Sequence, residues 1–353
     1  MPELLYTDHI GLWRDELAAW VPGDIFDAHV HLGPASVIGP ISPERKKGGL
    51  CSLNELTWED LSAFYKKLYK DKRIRGVFAF PFPFKETKID AANDYIIGLM
   101  KKEEKIKGFL LTHPSDLSHA VSAFSRAKEN KVKFYGVKTY FDLLGKSVYE
   151  TAMPELVPDD LLDFMNGERL ILMLHTSGIG VGDQQNQGYL RRISREFPQI
   201  KIILAHMGRF LDPGQFFSFL STKILDDCPG LFLDISYVSC TEVYQKILSD
   251  RKYRSRLLFA ADPPWGLTLV RDYYNIGGVK GLICLTRKNP DEGNNAKPDP
   301  YAAERAQITY NTYHCLKAVK DAFAALEIRG KAAEELKEDI FWRNTCRGLL
   351  EKS

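Results

Sequence analysis

Apolar positions along this chain gather into short strand-like runs separated by longer stretches in which apolar side chains recur with helical spacing. The runs are DIFDAHVHL (24–32), IRGVFAFPF (74–82), IKGFLLTHP (106–114), FYGVKTYFD (134–142), LILMLHTS (170–177), KIILAHMG (201–208), LFLDISYV (231–238) and LLFAADPPW (257–265). Between them lie TWEDLSAFYKKLY, with Thr57 and Asp60 in capping-box spacing, then YIIGLMKKEEK, DLSHAVSAFSRAKEN beginning at Asp116, DDLLDFMNGE, GYLRRISREF and TEVYQKILSD. Strands alternating with helices predict βα units and a parallel sheet. Eight such units close naturally into a (β/α)8 TIM barrel, with an open doubly wound sheet as the alternative.

Three segments exceed a minimal barrel. Residues 33–55 form a long β1α1 loop rich in Gly and Pro, and 286–300 form a polar loop after the last strand. Loops longer than about 12 to 15 residues are often lids or binding loops, and the first of these leaves directly from a pair of histidines. The C-terminal part, 267–353, reads as a helical extension packed on the outside of the barrel. The whole of 1–353 is therefore expected to be one domain, with core strands between 24 and 265.

Composition narrows the function. With 44% hydrophobic residues the 353-residue chain can bury a large core. Lys and Arg number 48 against 46 acids, a formal charge of +2 with no long basic run, which argues against nucleic acid and membrane-surface partners and for a small-molecule substrate. No run approaches the ~18 apolar residues of a spanning helix, and no basic-then-apolar leader opens the chain, so a cytoplasmic protein is expected. The six cysteines show no Cys-x-x-Cys spacing, which suits a reducing compartment. A homo-oligomer is left open.

The chemistry concentrates at strand ends. Side chains alternate along a strand, so Asp27, His29 and His31 of DAHVH are expected to project to one side, His29 and His31 as a ready pair of metal ligands and Asp27 in a deeper layer. In a (β/α)8 barrel the active site lies at the C-terminal ends of the strands. There strand four carries Lys138, strand five ends with His175, strand six with His206 and strand eight with Asp262. Four of the chain's eight histidines thus occupy strand ends, followed by an aspartate.

The order DAHVH, MLHTS, LAHMGR, AADPPW resembles the amidohydrolase superfamily, specifically the amidohydrolase-related group of metal-dependent hydrolases and nonoxidative decarboxylases. AANDYIIGLMKKEEKIKGF resembles that group's Asn-Asp helix leading into strand three, and FWRNTCRGLL its closing helix with Asn344. The segment 270–338 is poorly covered, and AADPPW departs from a Gly-Ser-Asp-x-Pro pattern, which puts the surroundings of Asp262 in doubt. The resemblance implies His29, His31, His175 and Asp262 around one divalent ion, with His206 as an acid, a base or a substrate-polarising group.

That ion is expected to be Zn2+, with Mn2+ or Fe2+ as alternatives. Three imidazoles and a carboxylate leave room for a water whose pKa falls toward ~7, with Asp262 taking its proton. In binuclear relatives of the fold a strand-four lysine is carboxylated and bridges two ions, so a second ion on carboxylated Lys138 is the alternative to one. Arg209, Lys138, Tyr140, Trp265 and His113 are candidate substrate contacts, with ion pairing or packing as the competing role of each. Asp234 is a candidate partner behind a ligand histidine, and Tyr237 a candidate wall. Hydrolysis of a small, carboxylate-bearing ester, lactone or amide is the leading expectation. Nonoxidative decarboxylation is the second, and a catalytically silent metal- or metabolite-binding barrel the third.

Overall fold

Runs rich in β-branched and aromatic residues become parallel strands when both faces can be covered, one by the barrel interior and the other by helices. The computed structural model describes residues 11–47, 51, 53–274, 280–284 and 309–351. Its strands are β1 (Asp24–His31), β2 (Arg73–Phe80), β3 (Ile106–Leu111), β4 (Gly136–Lys138), β5 (Ile171–Leu174), β6 (Lys201–Leu204), β7 (Leu231–Asp234) and β8 (Leu257–Leu258). They form one sheet in sequence order, with every neighbouring pair parallel. The chain beyond β8 returns to β1: Ala28 N–H donates to the Phe259 carbonyl, Asp262 N–H to that of His29 and His31 N–H to that of Pro263. These bonds close the (β/α)8 TIM barrel and exclude the open sheet. Several ladders end earlier than the apolar runs do, because the strand ends turn out into loops that carry the polar residues.

Two apolar clusters separate inside from outside. Phe26, Ala28, Phe78, Phe80, Phe109, Met173, Ile203 and Leu258 fill the barrel, with Leu349, Trp342 and Leu350 of the C-terminal segment packed against them. Ile25, Val30, Val77 and Ala79 instead join the layer beneath the helices, Trp58–Leu68 among them. This sorting corrects the expectation for Asp27. The β1–β2 register shifts between Asp27 and Val30, with Asp27 opposite Val77 but Val30 opposite Ala79. One extra residue in β1 is a bulge, and a bulge changes which face the following side chains take. Asp27 points outward, accepting from Tyr65 O–H at 2.6 Å and from the N–H groups of His29 and Ala261 at 3.1 and 3.0 Å. His29 and His31 turn inward. The Asp27 carboxyl, pushed up to about 7 by burial against these donors, is a buried tie between β1, the end of β8 and the first large helix.

Two asparagines anchor the elements that carry the family resemblance. Asn93, in helix Ile89–Lys102, exchanges both amide bonds with the backbone of Leu111 at the end of β3. Asn344 donates to the carbonyls of Arg254 and Leu257, fastening the C-terminal segment to the base of β8. Beyond β8 the expectation of an all-helical extension needs correction. Leu269–Tyr274 pairs antiparallel with Lys280–Cys284 and with Thr309–Tyr310 in a three-stranded sheet, before helices Asn311–Ala325 and Gly330–Glu338. Its first run, LVRDYY, is rich in residue types that a pleated surface favours. The polar loop 286–300 lies outside the described residues. Among the described residues no helix is long and apolar enough to cross a membrane.

Parts of the long β1 loop are bound to the barrel mouth. Gly33 pairs with Leu56 and Ile38 with Thr87 through isolated bridges, and Val37, Ile38, Cys51 and Leu56 are buried. Arg45 reaches across it, with Nη2 donating to Glu86 Oε2 at 2.8 Å and Asp142 Oδ2 at 2.6 Å, and Nη1 to Asp142 Oδ1 at 3.1 Å. One guanidinium thereby joins the loops after β1, β2 and β4. Residues 48–50 and 52 of this loop lie outside the described residues.

Candidate metal centre

The inward turn of β1 brings His29 Nε2 and His31 Nε2 to 3.3 Å from one another. Asp262, delivered from beyond β8 by its backbone bond to His29, places Oδ1 3.2 Å from the first and 3.4 Å from the second. The other nitrogen of His29 lies 2.7 Å from Asp234 Oδ2, and that of His31 faces the Pro81 carbonyl at 3.4 Å. Both acceptors require a protonated Nδ1, so both Nε2 atoms carry bare lone pairs. Burial drives the His29 and His31 pKa values well below the usual histidine range, which keeps both rings neutral. Burial, with Asp234 nearby, pushes Asp262 well up. Asp262 Oδ1 is buried without a hydrogen-bond donor.

Three lone-pair atoms held within 3.2–3.4 Å of one another repel unless a cation lies between them. Two neutral imidazoles and a carboxylate are donors that Zn2+, Mn2+ and Fe2+ accept. The residues therefore fit a divalent ion. Two other groups of potential donors are satisfied in different ways. His29, His206 and Asp234 are joined by hydrogen bonds. Cys51, Glu86 and Asp142 surround the Arg45 guanidinium, which is already a cation.

Backbone strain collects at this end of the barrel. His206, Met207, Arg209, Tyr237 and Asp262 all have φ between 51° and 60°. That region is costly for residues with a Cβ. Buried acceptors hold two of them: His206 N–H donates to Asp234 Oδ1 at 2.9 Å, and Asp262 N–H donates to the His29 carbonyl. Beyond Asp262, Gly266 N–H returns to the Asp262 carbonyl at 2.8 Å, so closely that a Cβ at 266 would sit 1.5 Å from the Ala261 carbonyl oxygen. Gly266→Ala should therefore displace the Asp262 turn, lower the urea midpoint by an amount equal to about 3 kcal/mol, and weaken metal retention. An unchanged midpoint and an unchanged metal content would show that the turn is not packed this way.

No protein-family model and no curated protein matches the chain. Solved structures do. Amidohydrolase 2 from Bifidobacterium longum subsp. infantis aligns over 94% of this chain and 100% of its own, with 14% identity and a TM-score of 0.52. A dihydroxybenzoic acid decarboxylase from a Polaromonas species, solved with bound manganese and 2-nitroresorcinol, aligns over 93% and 97% with 15% identity and a TM-score of 0.52. For 4-oxalomesaconate hydratase from Rhodopseudomonas palustris the coverage is 92% and 95%, at 15% identity and a TM-score of 0.50. The chain shares the barrel fold of these structures.

Within this barrel the remaining candidates separate. His175 stands at the end of β5 with its Nδ1 buried and unpartnered, its ring 5.4 Å from that of His206 and 5.0 Å from Tyr140. It belongs to no group of three mutually close metal donors among the described residues. His206 stacks on His29 at 5.4 Å, with Nε2 4.0 Å from Asp262 Oδ2, and burial lowers it to about 3. Lys138 is buried at the end of β4, its ammonium 5.1 Å from the centre of the Phe80 ring and 5.5 Å from that of Tyr140. Burial lowers it to about 8, opposed by the charges of Asp262 and Asp234. Trp265 packs edge-on against His31 at 4.7 Å, and Tyr237 against His206 at 5.3 Å.

Two candidates bond to loop backbone. His113 Nδ1 accepts from Ser115 N–H and Nε2 donates to the Leu143 carbonyl at 2.9 Å, so both ring nitrogens staple loops and neither is left for a substrate. Arg209 donates from Nη1 to the carbonyls of Thr176 and Gly178, bracing the loop after β5. Sequence reasoning missed Ser236 and the Arg45 network. Ser236 had a readable signal, because it stands two residues after Asp234 and so shares its face; Arg45 sits in a loop whose course no periodicity reveals.

Proposed function

We propose that the protein is a metal-dependent enzyme acting on a small carboxylate-bearing substrate, with nonoxidative decarboxylation as the leading reading. The observation that carries it is the pairing of the His29, His31 and Asp262 donor set with a buried cation, Lys138, between aromatic walls. A divalent ion held there supplies Lewis acidity toward a substrate oxygen. Lys138 offers charge-assisted hydrogen bonds to a carboxylate and opposes its desolvation. Phe80, Tyr140 and Trp265 accept a flat, unsaturated body. The Arg45 tie fastens the β1 loop to the loops after β2 and β4 at the mouth. Dihydroxybenzoate decarboxylases share the fold, which supports this order of readings.

Hydrolysis is the second reading, favoured by one feature. Asp262 Oδ2 and His206 Nε2, 4.0 Å apart, are acceptors on the same pocket, and acceptors suit removal of a proton from attacking water. Metal-loaded protein incubated with hydroxybenzoates and unsaturated acids, followed by CO2 release, tests the first reading. The same protein with esters, lactones and amides of carboxylic acids, followed by acid release, tests the second. Turnover in neither panel would leave a silent binding barrel.

Lys138→Ala should retain close to one metal ion per chain and raise KM for an anionic substrate about 10- to 100-fold. That range corresponds to the loss of one hydrogen bond to a charged group. Metal loss in this variant would move Lys138 into the ligand set.

A further inference from the structure

We infer that Ser236 is a positioning residue that fixes His206 as the Nδ1–H tautomer and so leaves Nε2 bare and aimed into the pocket. The argument is an accounting of protons around Asp234. Oδ2 of this buried carboxylate takes His29 Nδ1–H. Oδ1 accepts from His206 N–H at 2.9 Å, Ser236 N–H at 3.1 Å and Ser236 Oγ–H at 2.6 Å. An oxygen already receiving two backbone N–H groups has no place for a proton of its own, so the hydroxyl hydrogen of Ser236 must lie toward Asp234. Ser236 Oγ then has only lone pairs to turn toward His206 Nδ1, 2.8 Å away. Nδ1 must therefore be the donor.

The consequence reaches the pocket. In the opposite tautomer Nε2–H would point at the metal donor set, and His206 would begin the reaction as a hydrogen-bond donor. As Nδ1–H it begins as an acceptor, able to take a proton or a hydrogen bond from substrate or water. Asp234 thus orients two histidines, His29 directly and His206 through a hydroxyl, and Asp234 and Ser236 reach the site from the end of β7. A functional role for the acceptor rests on the proposed reading of the pocket. The tautomer does not, because it can be read without substrate.

The test uses full-length protein labelled with 15N at histidine rings, zinc-loaded and after chelation, with the His206 signals assigned by their absence in His206→Gln. Long-range 1H–15N correlation spectra at neutral pH should show protonated Nδ1 in His206. Ser236→Ala should shift the proton toward Nε2, and Ser236→Thr, which keeps a hydroxyl, should restore the original pattern. A protonated Nε2 in the unmodified protein overturns the inference before any variant is made. So does a Ser236→Ala spectrum identical to that of the unmodified protein.

Discussion

Carefully purified protein should carry close to one divalent ion per chain, and Ala at His29, His31 or Asp262 should reduce that to a trace. The expectation follows from geometry more than from residue type. The lone pairs of His29 Nε2, His31 Nε2 and Asp262 Oδ1 crowd within 3.2–3.4 Å, and no donor reaches Asp262 Oδ1. A divalent cation turns that crowding into stabilisation. Chelation should abolish turnover, and restoring an ion at about 100 times its Kd should add about 2.7 kcal/mol of folding stability. Asp234→Ala, which removes the partner behind His29 together with the acceptor of His206 N–H and Ser236, should weaken binding by at least about 10- to 100-fold. Metal analysis and titration with Zn2+, Mn2+ and Fe2+ decide the matter. Far less than one ion, with no uptake of any of the three, would sink the proposed centre. Two ions in protein prepared with bicarbonate, the second lost in Lys138→Ala, would instead establish the carboxylated-lysine arrangement and favour hydrolysis.

The second large effect is expected at His206. His206→Ala should keep most of the metal while turnover falls about 10²- to 10⁴-fold, the range for loss of a general acid or base. That range equals roughly 2.7–5.4 kcal/mol of barrier. The split between metal and rate follows from placement, because His206 Nε2 is 4.0 Å from Asp262 Oδ2, whereas His29 and His31 lie closer to Oδ1. Parallel measurement of metal content and kcat separates the outcomes. An unchanged rate removes His206 from the chemistry, and loss of the ion makes it a ligand.

The ordering of the site also bears on His175. Its strand-end position in the sequence is equivalent to that of His206, yet its nitrogens fall outside the close donor set. Its Nδ1 is buried and unpartnered, as is Asp262 Oδ1.

The number and order of the strands, and the placement of His29, His31, Lys138, His175, His206 and Asp262 at strand ends, were legible in the sequence, while closure into a barrel rests on the bonds from the chain beyond β8 to β1. The legible features are carried by local patterns: apolar runs, helical spacing between them, and polar residues where a run stops. The remaining features depend on contacts between residues far apart in the chain. The bulge after Asp27 arises from pairing with β2, and one extra residue reverses a face that alternation alone would assign. His113 is a loop staple because Leu143 lies beside it, and Arg45 bridges three loops because they meet over the same mouth. The sheet formed by Leu269–Tyr274 and its neighbours, where a helical extension was expected, exists through pairing between segments apart in the chain. Periodicity says which side chains can share a face, but the crowding of three lone pairs, and the protons that Asp234 must receive, exist only once β1, β7 and the end of β8 have closed on one another.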